Sequence, residues 1–307
     1  MKGRPDLSVR IAPGLKLKNP VITASGTCGW GDDLDGFMDV NKLGAIVCKG
    51  TTLKPRSGNP QPRIIEVTGG MLNSVGLENI GVEAVIKKKA QAWVGWRVPV
   101  IVNIAGESVE DYSRLAAKLD GVPGVSGIEV NISCHNVKKG GMQFGTDPHM
   151  AARATKAVRQ STSLPLIIKL SPNVTDIVAV ARAVEEAGAD SISLINTLTG
   201  MAIDVKSRRP KLGNVTGGLS GPAIKPVALH MVYRVAEAVK VPVIGIGGIM
   251  DADDAIEFIM AGATAVEVGT ATLVNPRAAI EIIIGMEKYL AANGFKAISQ
   301  IRWLARI

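Results

Sequence analysis

Cysteine is scarce in this chain: Cys28, Cys48 and Cys134 are its three. They form no CxxC and cannot all pair, which fits a reducing, cytoplasmic setting. Three thiols also exclude a self-contained iron–sulfur centre, which normally takes four cysteine ligands. Histidine is equally sparse (His135, His149 and His230) and forms no HxxxH or HxH pair, so no zinc site is expected. Aromatic residues make up 4 % and are not interleaved with basic ones. The net charge of +8 therefore does not imply a nucleic-acid partner. Its lysines and arginines fall in short groups, Lys87-Lys88-Lys89 and Arg208-Arg209, that suit solvated helix faces and loops. No run of about eighteen apolar residues exists, and MKGRPDLSVRIAPGL lacks the apolar core of a signal peptide. Neither membrane spanning nor secretion is expected. A GxGxxG fingerprint after the first strand is missing too, which argues against a dinucleotide-binding open sheet.

What the chain does have is 47 % hydrophobic residues over 307 positions, enough for one large core. Short β-branched runs recur: Val21–Ser25, Ala45–Lys49, Val98–Ile104, Gly127–Ile132, Pro165–Leu170, Ser191–Asn196, Val241–Ile246 and Ala265–Val268. They are apolar on both faces, as parallel strands buried on both sides must be. Helical patterns separate them, with start signals at Thr146-Asp147-Pro148, Asp176, Asp251 and Asn275-Pro276 and stop glycines at Gly188 and Gly262. Eight such units predict an α/β chain folded as a (β/α)₈ TIM barrel, one domain over residues 1–307. Two connections, Gly50–Ile80 and Thr197–Pro222, are too long for simple turns and leave the strand ends where lids and substrate walls stand.

The segment GIEVNISCHNVKKGGMQFG (127–145) carries the densest chemistry: a buried strand breaks into a loop holding Asn131, Cys134 and Asn136. Amides buried at a strand end need partners, and a ligand would supply them. Gly247-Gly248 and Gly269-Thr270 follow the seventh and eighth strands, the usual phosphate position of a TIM barrel. A phosphorylated cofactor or substrate is therefore expected, FMN being one candidate. Lys49 and Lys169 end apolar runs, where a lysine is costly unless it meets an anion or a polar cavity. A Schiff-base role for such a lysine stays open at this point. Asn73, Asn103 and Asn196 complete a set of amides suited to a planar substrate rich in carbonyl and amide groups.

Nearly the whole chain resembles the catalytic subunits of type-B dihydroorotate dehydrogenases, flavoproteins of pyrimidine synthesis. The matching segments include NPVITASGTCG (19–29), NSVGLEN (73–79), Asn131–Gly141, Phe144–Pro148, Asn196-Thr197, GGLSGPAIKPVAL (217–229), Gly245–Gly248 and Val268–Thr270. The resemblance implies an FMN-binding (β/α)₈ barrel. It assigns FMN to Ser25, Lys49, Gly50, Asn103, Asn131 and Lys169, and further to Ile195, Gly221, Gly247, Gly248, Gly269 and Thr270. It assigns the substrate to Lys49, to Asn73, Ser74, Val75, Gly76 and Leu77, and to Asn131, Asn136, Asn196 and Thr197. Cys134 is implied as the general base, taking the proton from C5 of dihydroorotate while a hydride leaves C6 for the flavin N5. Lys169 would stabilise negative charge on the flavin ring, and Lys49 would sit near the substrate carboxylate. A partner subunit carrying FAD and a 2Fe–2S cluster is implied, passing electrons to NAD⁺ in an assembly of two catalytic and two electron-transfer chains. One departure stands beside the base: the family usually reads S-C-P-N, and this chain reads Ser133-Cys134-His135-Asn136. A solvent-facing substitution is the simplest account of His135.

Other readings belong to the same residues. The pyrimidine-reducing barrel of dihydropyrimidine dehydrogenase also uses a loop cysteine, but NVKKGGMQFGTDP and GNVTGGLSGPAIKP favour dihydroorotate. A fumarate-using type-A dihydroorotate dehydrogenase would be a self-sufficient homodimer, whereas GGLSGPAIKPVAL and NSVGLENIGVE look more like type B. A flavin-free lyase or isomerase using Lys169, and an RNA-modifying flavin barrel, are more distant alternatives.

Overall fold

The computed structural model describes residues 4–133 and 144–306. Eight parallel strands close into a barrel: Val21–Thr23, Ala45–Val47, Val100–Ile104, Gly127–Asn131, Leu166–Lys169, Ser191–Leu194, Val243–Ile246 and Ala265–Val268. The last pairs with the first, Glu267 opposite Ile22, so no edge remains open. Each strand lies inside the run expected from sequence, and the TIM-barrel expectation holds. The β-branched runs form strands because both faces are covered, one by barrel filling and one by helices.

The helices begin and end where capping chemistry dictates. Asp147, Asp176 and Asp251 each accept a backbone N–H from the first turn of the helix that follows. Gly188 and Gly262 adopt φ of 102° and 109° just past two helix ends, a region open to glycine and strained for other residues. The final helix, Ala278–Ala292, starts later than expected. Asn275 instead bonds the Arg277 N–H and the Glu281 carboxylate.

The barrel interior is divided along its axis. An N-terminal hairpin, Val9–Ala12 against Leu15–Leu17, closes one end. Its Ile11, Leu15 and Leu17 pack against Ile22, Val47, Ile101, Ile167 and Ile244, which point inward from the strands. Toward the strands' C-terminal ends the inward positions turn polar: Asn103, Glu129, Lys169, Ser193 and Glu267. The two long connections do not run as irregular loops. They supply the strands Ile64–Val67, Gly70–Asn73, Leu198–Met201 and Thr216–Ser220 of one antiparallel sheet, in which Gly218 pairs with Asn73.

Candidate active site

A cavity of about 750 Å³ opens at the C-terminal ends of the strands, walled on one side by that antiparallel sheet. Every site residue expected from sequence that lies among the described residues lines it. Ser25, Lys49, Gly50, Asn103, Asn131, Lys169, Ile195, Asn196 and Thr197 come from strand ends. Asn73 to Leu77 come from the first insertion and Gly221 from the second. Gly247, Gly248, Gly269 and Thr270 complete the set. Cys134, Asn136 and the neighbouring His135 lie outside the described residues; Ser133, which precedes them, reaches the cavity wall.

Lys169 is the electrostatic centre. Its Nζ lies 3.3 Å from Glu267 Oε2, 3.6 Å from Glu129 Oε1 and 3.5 Å from Ser25 Oγ, with 5 % of its side chain exposed. Burial, the largest influence, works to discharge it, but the Glu129 charge and the contact with Glu267 outweigh burial and hold its pKa above the ordinary 10.5. Lys49 is set differently: its Nζ stands 5.8 Å from the centre of the Trp30 ring, at the cavity wall. Lys89 approaches the same ring and pairs with Asp32.

The amides are oriented by their neighbours. Asn103 Nδ2 donates to Glu129 Oε1 at 2.6 Å. Its buried Oδ1 has no partner among the described residues. Asn196 Nδ2 donates to Asn131 Oδ1 at 3.3 Å, and Tyr112 donates to the Asn131 carbonyl at 2.8 Å. The Asn73–Leu77 segment is held from below by Asn79, whose amide bonds Leu77 O, Thr52 and the Gly81 N–H. Its turn passes through φ of 76° at Gly76, where a β-carbon would come within 2.5 Å of the Asn59 side chain. Asn59 in turn donates to Ser74.

At the far side, Gly247 and Gly248 have φ of 124° and 75°. A β-carbon on Gly248 would meet the Lys225 backbone nitrogen at 2.8 Å, so only glycine lets this wall follow its course. Thr270 donates to Ser220 at 2.8 Å, joining the eighth strand's end to the second insertion.

These features test the fit of a flavin nucleotide. The cavity has a charged polar floor, an orphaned buried acceptor on Asn103 and glycine-lined walls after the seventh and eighth strands. That donor and acceptor set suits a ring with carbonyl and N–H groups joined to a phosphate. Two residues, Glu267 at the floor and Glu129 buried beneath it, were not singled out from sequence. The available signal was an acidic residue inside each of the apolar strands GIEVN and AVEV.

The family model that matches is that of dihydroorotate dehydrogenase, over residues 7–290. Among curated relatives, a protein of Geotalea uraniireducens is 58 % identical over 97 % of this chain and 98 % of its own length. One of Trichlorobacter lovleyi is 60 % identical over 97 % and 98 %, and one of Geobacter sulfurreducens 57 % identical over 97 % of each chain. All three are named dihydroorotate dehydrogenase B (NAD(+)), catalytic subunit.

Proposed function

The chain belongs to the dihydroorotate dehydrogenase family, and from that premise we propose how its barrel mouth works. The enzyme is a flavin-dependent oxidoreductase that converts (S)-dihydroorotate to orotate in de novo pyrimidine (UMP) biosynthesis, with NAD⁺ as final acceptor. Its flavin is FMN, held by one barrel domain spanning residues 1–307. The observation that carries this reading is the Lys169 ammonium, buried and kept charged at the floor of a cavity with glycine-lined walls.

FMN, when bound, supplies the acceptor for the hydride leaving C6 of the substrate. The chain's own residues do the rest. Lys169 presents fixed positive charge where electron density gathers, an arrangement worth several kcal/mol because no solvent has to reorganise. That its pKa is raised argues against a nucleophilic Schiff-base lysine, which needs a depressed one. Asn103 offers its Oδ1 as an acceptor, and Asn131 and Asn196, already bonded to each other, present a rigid amide pair toward the substrate. Lys49, steadied by Trp30, meets the substrate carboxylate, and the Asn73–Leu77 turn encloses its other side. Cys134 takes the C5 proton.

The relatives' names as catalytic subunits support a second subunit here. We assign to it FAD and a 2Fe–2S cluster, in an assembly of two catalytic and two electron-transfer chains. Among the described residues no helix is long and apolar enough to cross a membrane; cysteine usage supports a cytoplasmic setting. Purification decides the reading. A yellow protein that releases FMN and oxidises dihydroorotate with a dye acceptor is expected, and a colourless chain that neither takes up FMN nor oxidises dihydroorotate would overturn it.

A further inference from the structure

The floor of the cavity contains one more ionisable group than its charge balance needs. Lys169, Glu129 and Glu267 meet inside the closed barrel, both carboxylates fully buried. One ammonium faces two carboxylates, and two acidic groups in contact in a dry interior do not both ionise. Hydrogen bonding separates them. Glu129 receives a donor on each oxygen, Asn103 at 2.6 Å on Oε1 and Ser193 at 2.8 Å on Oε2. Glu267 touches Lys169 through Oε2, and its Oε1 has no partner among the described residues. Both carboxylates reach the same Lys169 Nζ, at 3.3 and 3.6 Å, which brings them close to each other.

We propose that Glu267 is a proton-holding positioning residue: it remains a neutral carboxylic acid that donates to Glu129, so that Lys169 and Glu129 form a single ion pair and the floor carries no net charge. The inference rests on the flavin reading of the cavity for its consequence, though not for the proton itself. With Glu267 neutral, Lys169 meets added negative charge from the bound ring without a competing carboxylate. With Glu267 ionised, the floor is net negative and repels that charge. Burial first, and the Glu129 charge second, raise the Glu267 pKa well above the ordinary 4.5, against the opposing pull of Lys169. Among the described residues, two thiols also feel the pair: Cys28 faces the Glu267 charge and Cys48 the Glu129 charge. Both thiols are pushed up by burial, Cys28 to about 12, so neither contributes charge near neutral pH.

The test uses the full chain with Glu267→Gln and Glu129→Gln. An amide at position 267 mimics the acid, with an N–H₂ toward Glu129 and an oxygen toward Lys169. An amide at 129 instead sets its N–H₂ against one of the two donors, Asn103 or Ser193. Infrared difference spectra of the flavin-free protein at about pH 7 should show a protonated carboxyl band in wild type that Glu267→Gln removes. FMN titrations should find Glu129→Gln weakened about tenfold more than Glu267→Gln, the scale of one charged hydrogen bond lost. Raising the pH should weaken FMN binding in wild type relative to Glu267→Gln. The absence of the acid band in wild type would overturn the proposal, as would a reversed order of the two variants. Failure of every form to bind FMN would instead sink the flavin reading, and the infrared band would then decide the proton's seat alone.

Discussion

Asn103 and Glu129 sit opposite each other in register on adjacent barrel strands and are joined by a 2.6 Å hydrogen bond. The bond fixes which way the amide faces: its nitrogen is committed to the carboxylate, so its oxygen is left to the cavity. Replacing Asn103 with alanine therefore removes two things at once. We expect FMN binding to weaken by about 1–3 kcal/mol, the scale for hydrogen bonds that involve charged or buried groups. A fall in melting temperature should accompany it, because Glu129 loses a donor. Calorimetric titration with FMN checks the first effect and a thermal melt the second; an alanine variant equal to wild type in both would remove Asn103 from the site.

Much of this arrangement could be read before the fold was known, and the rest could not, for definite reasons. The eight strands were legible because parallel strands buried on both faces leave uninterrupted β-branched runs. Gly247-Gly248 and Gly269-Thr270 were legible as parts of the cavity wall because the C-terminal strand ends of a barrel surround its mouth. Glu129 and Glu267 were not. Each is one acidic residue in an apolar strand, and 98 residues separate Glu267 from Lys169, so only closure of the barrel brings the three together. The antiparallel sheet over the mouth was hidden for another reason. Its strands, such as Gly70–Asn73 and Thr216–Ser220, are short and glycine-rich, and their partners lie in the other insertion. Trp30, which steadies Lys49, gave no periodic signal because it stands in a turn between strands.

The two lysines should separate cleanly. Lys169→Met strands the Glu129 charge in the barrel, and breaking a buried pair in this way costs about 3–5 kcal/mol. It should lower the melting temperature markedly and impair flavin retention. Lys49→Ala should leave the fold near wild type, since its partner is a ring rather than a buried carboxylate, yet weaken orotate binding by about 1–3 kcal/mol. Equal losses of stability in both variants would contradict the division.

The pH dependence of stability follows from directions alone. Glu267 has a folded pKa above its ordinary 4.5, so the folded state holds a proton that the unfolded chain releases. That contribution is fully present below 4.5 and is lost as pH rises through the folded value. Lys169 and Cys28, also raised, lose theirs only above their ordinary 10.5 and 9.0. Asp120 runs the other way: hydrogen bonds from Thr162 and Ser163 lower its pKa, so its contribution is lost as pH falls below its ordinary 3.8. Between these limits Glu267 adds a downward slope with rising pH. Urea unfolding at a series of pH values should show wild type losing stability toward neutral and alkaline pH while Glu267→Gln stays flatter. Parallel curves for the two proteins would contradict it.

Cys134 is expected to act as the base. A serine in its place should still bind FMN and orotate but turn over roughly 10²–10⁴ times more slowly at neutral pH, the range for a lost general base. A hydroxyl ionises far less readily than a thiol, so part of the activity should return as the pH is raised. Steady-state rates across pH provide the check, and undiminished turnover would take Cys134 out of the mechanism.

Electron transfer beyond the flavin should require a second protein. The chain has no dinucleotide fingerprint after its first strand and only three cysteines, two of which, Cys28 and Cys48, are buried and held as thiols by burial. These residues supply neither the glycine fingerprint of a dinucleotide fold nor the four cysteines that an iron–sulfur centre normally takes. The isolated chain should therefore oxidise dihydroorotate with an artificial dye but leave NAD⁺ unreduced until a flavin and iron–sulfur partner is added. Stopped-flow spectra with and without that partner distinguish the two states. Fast NAD⁺ reduction by the chain alone would overturn the partner requirement, and efficient turnover with fumarate would point to a self-sufficient homodimer instead.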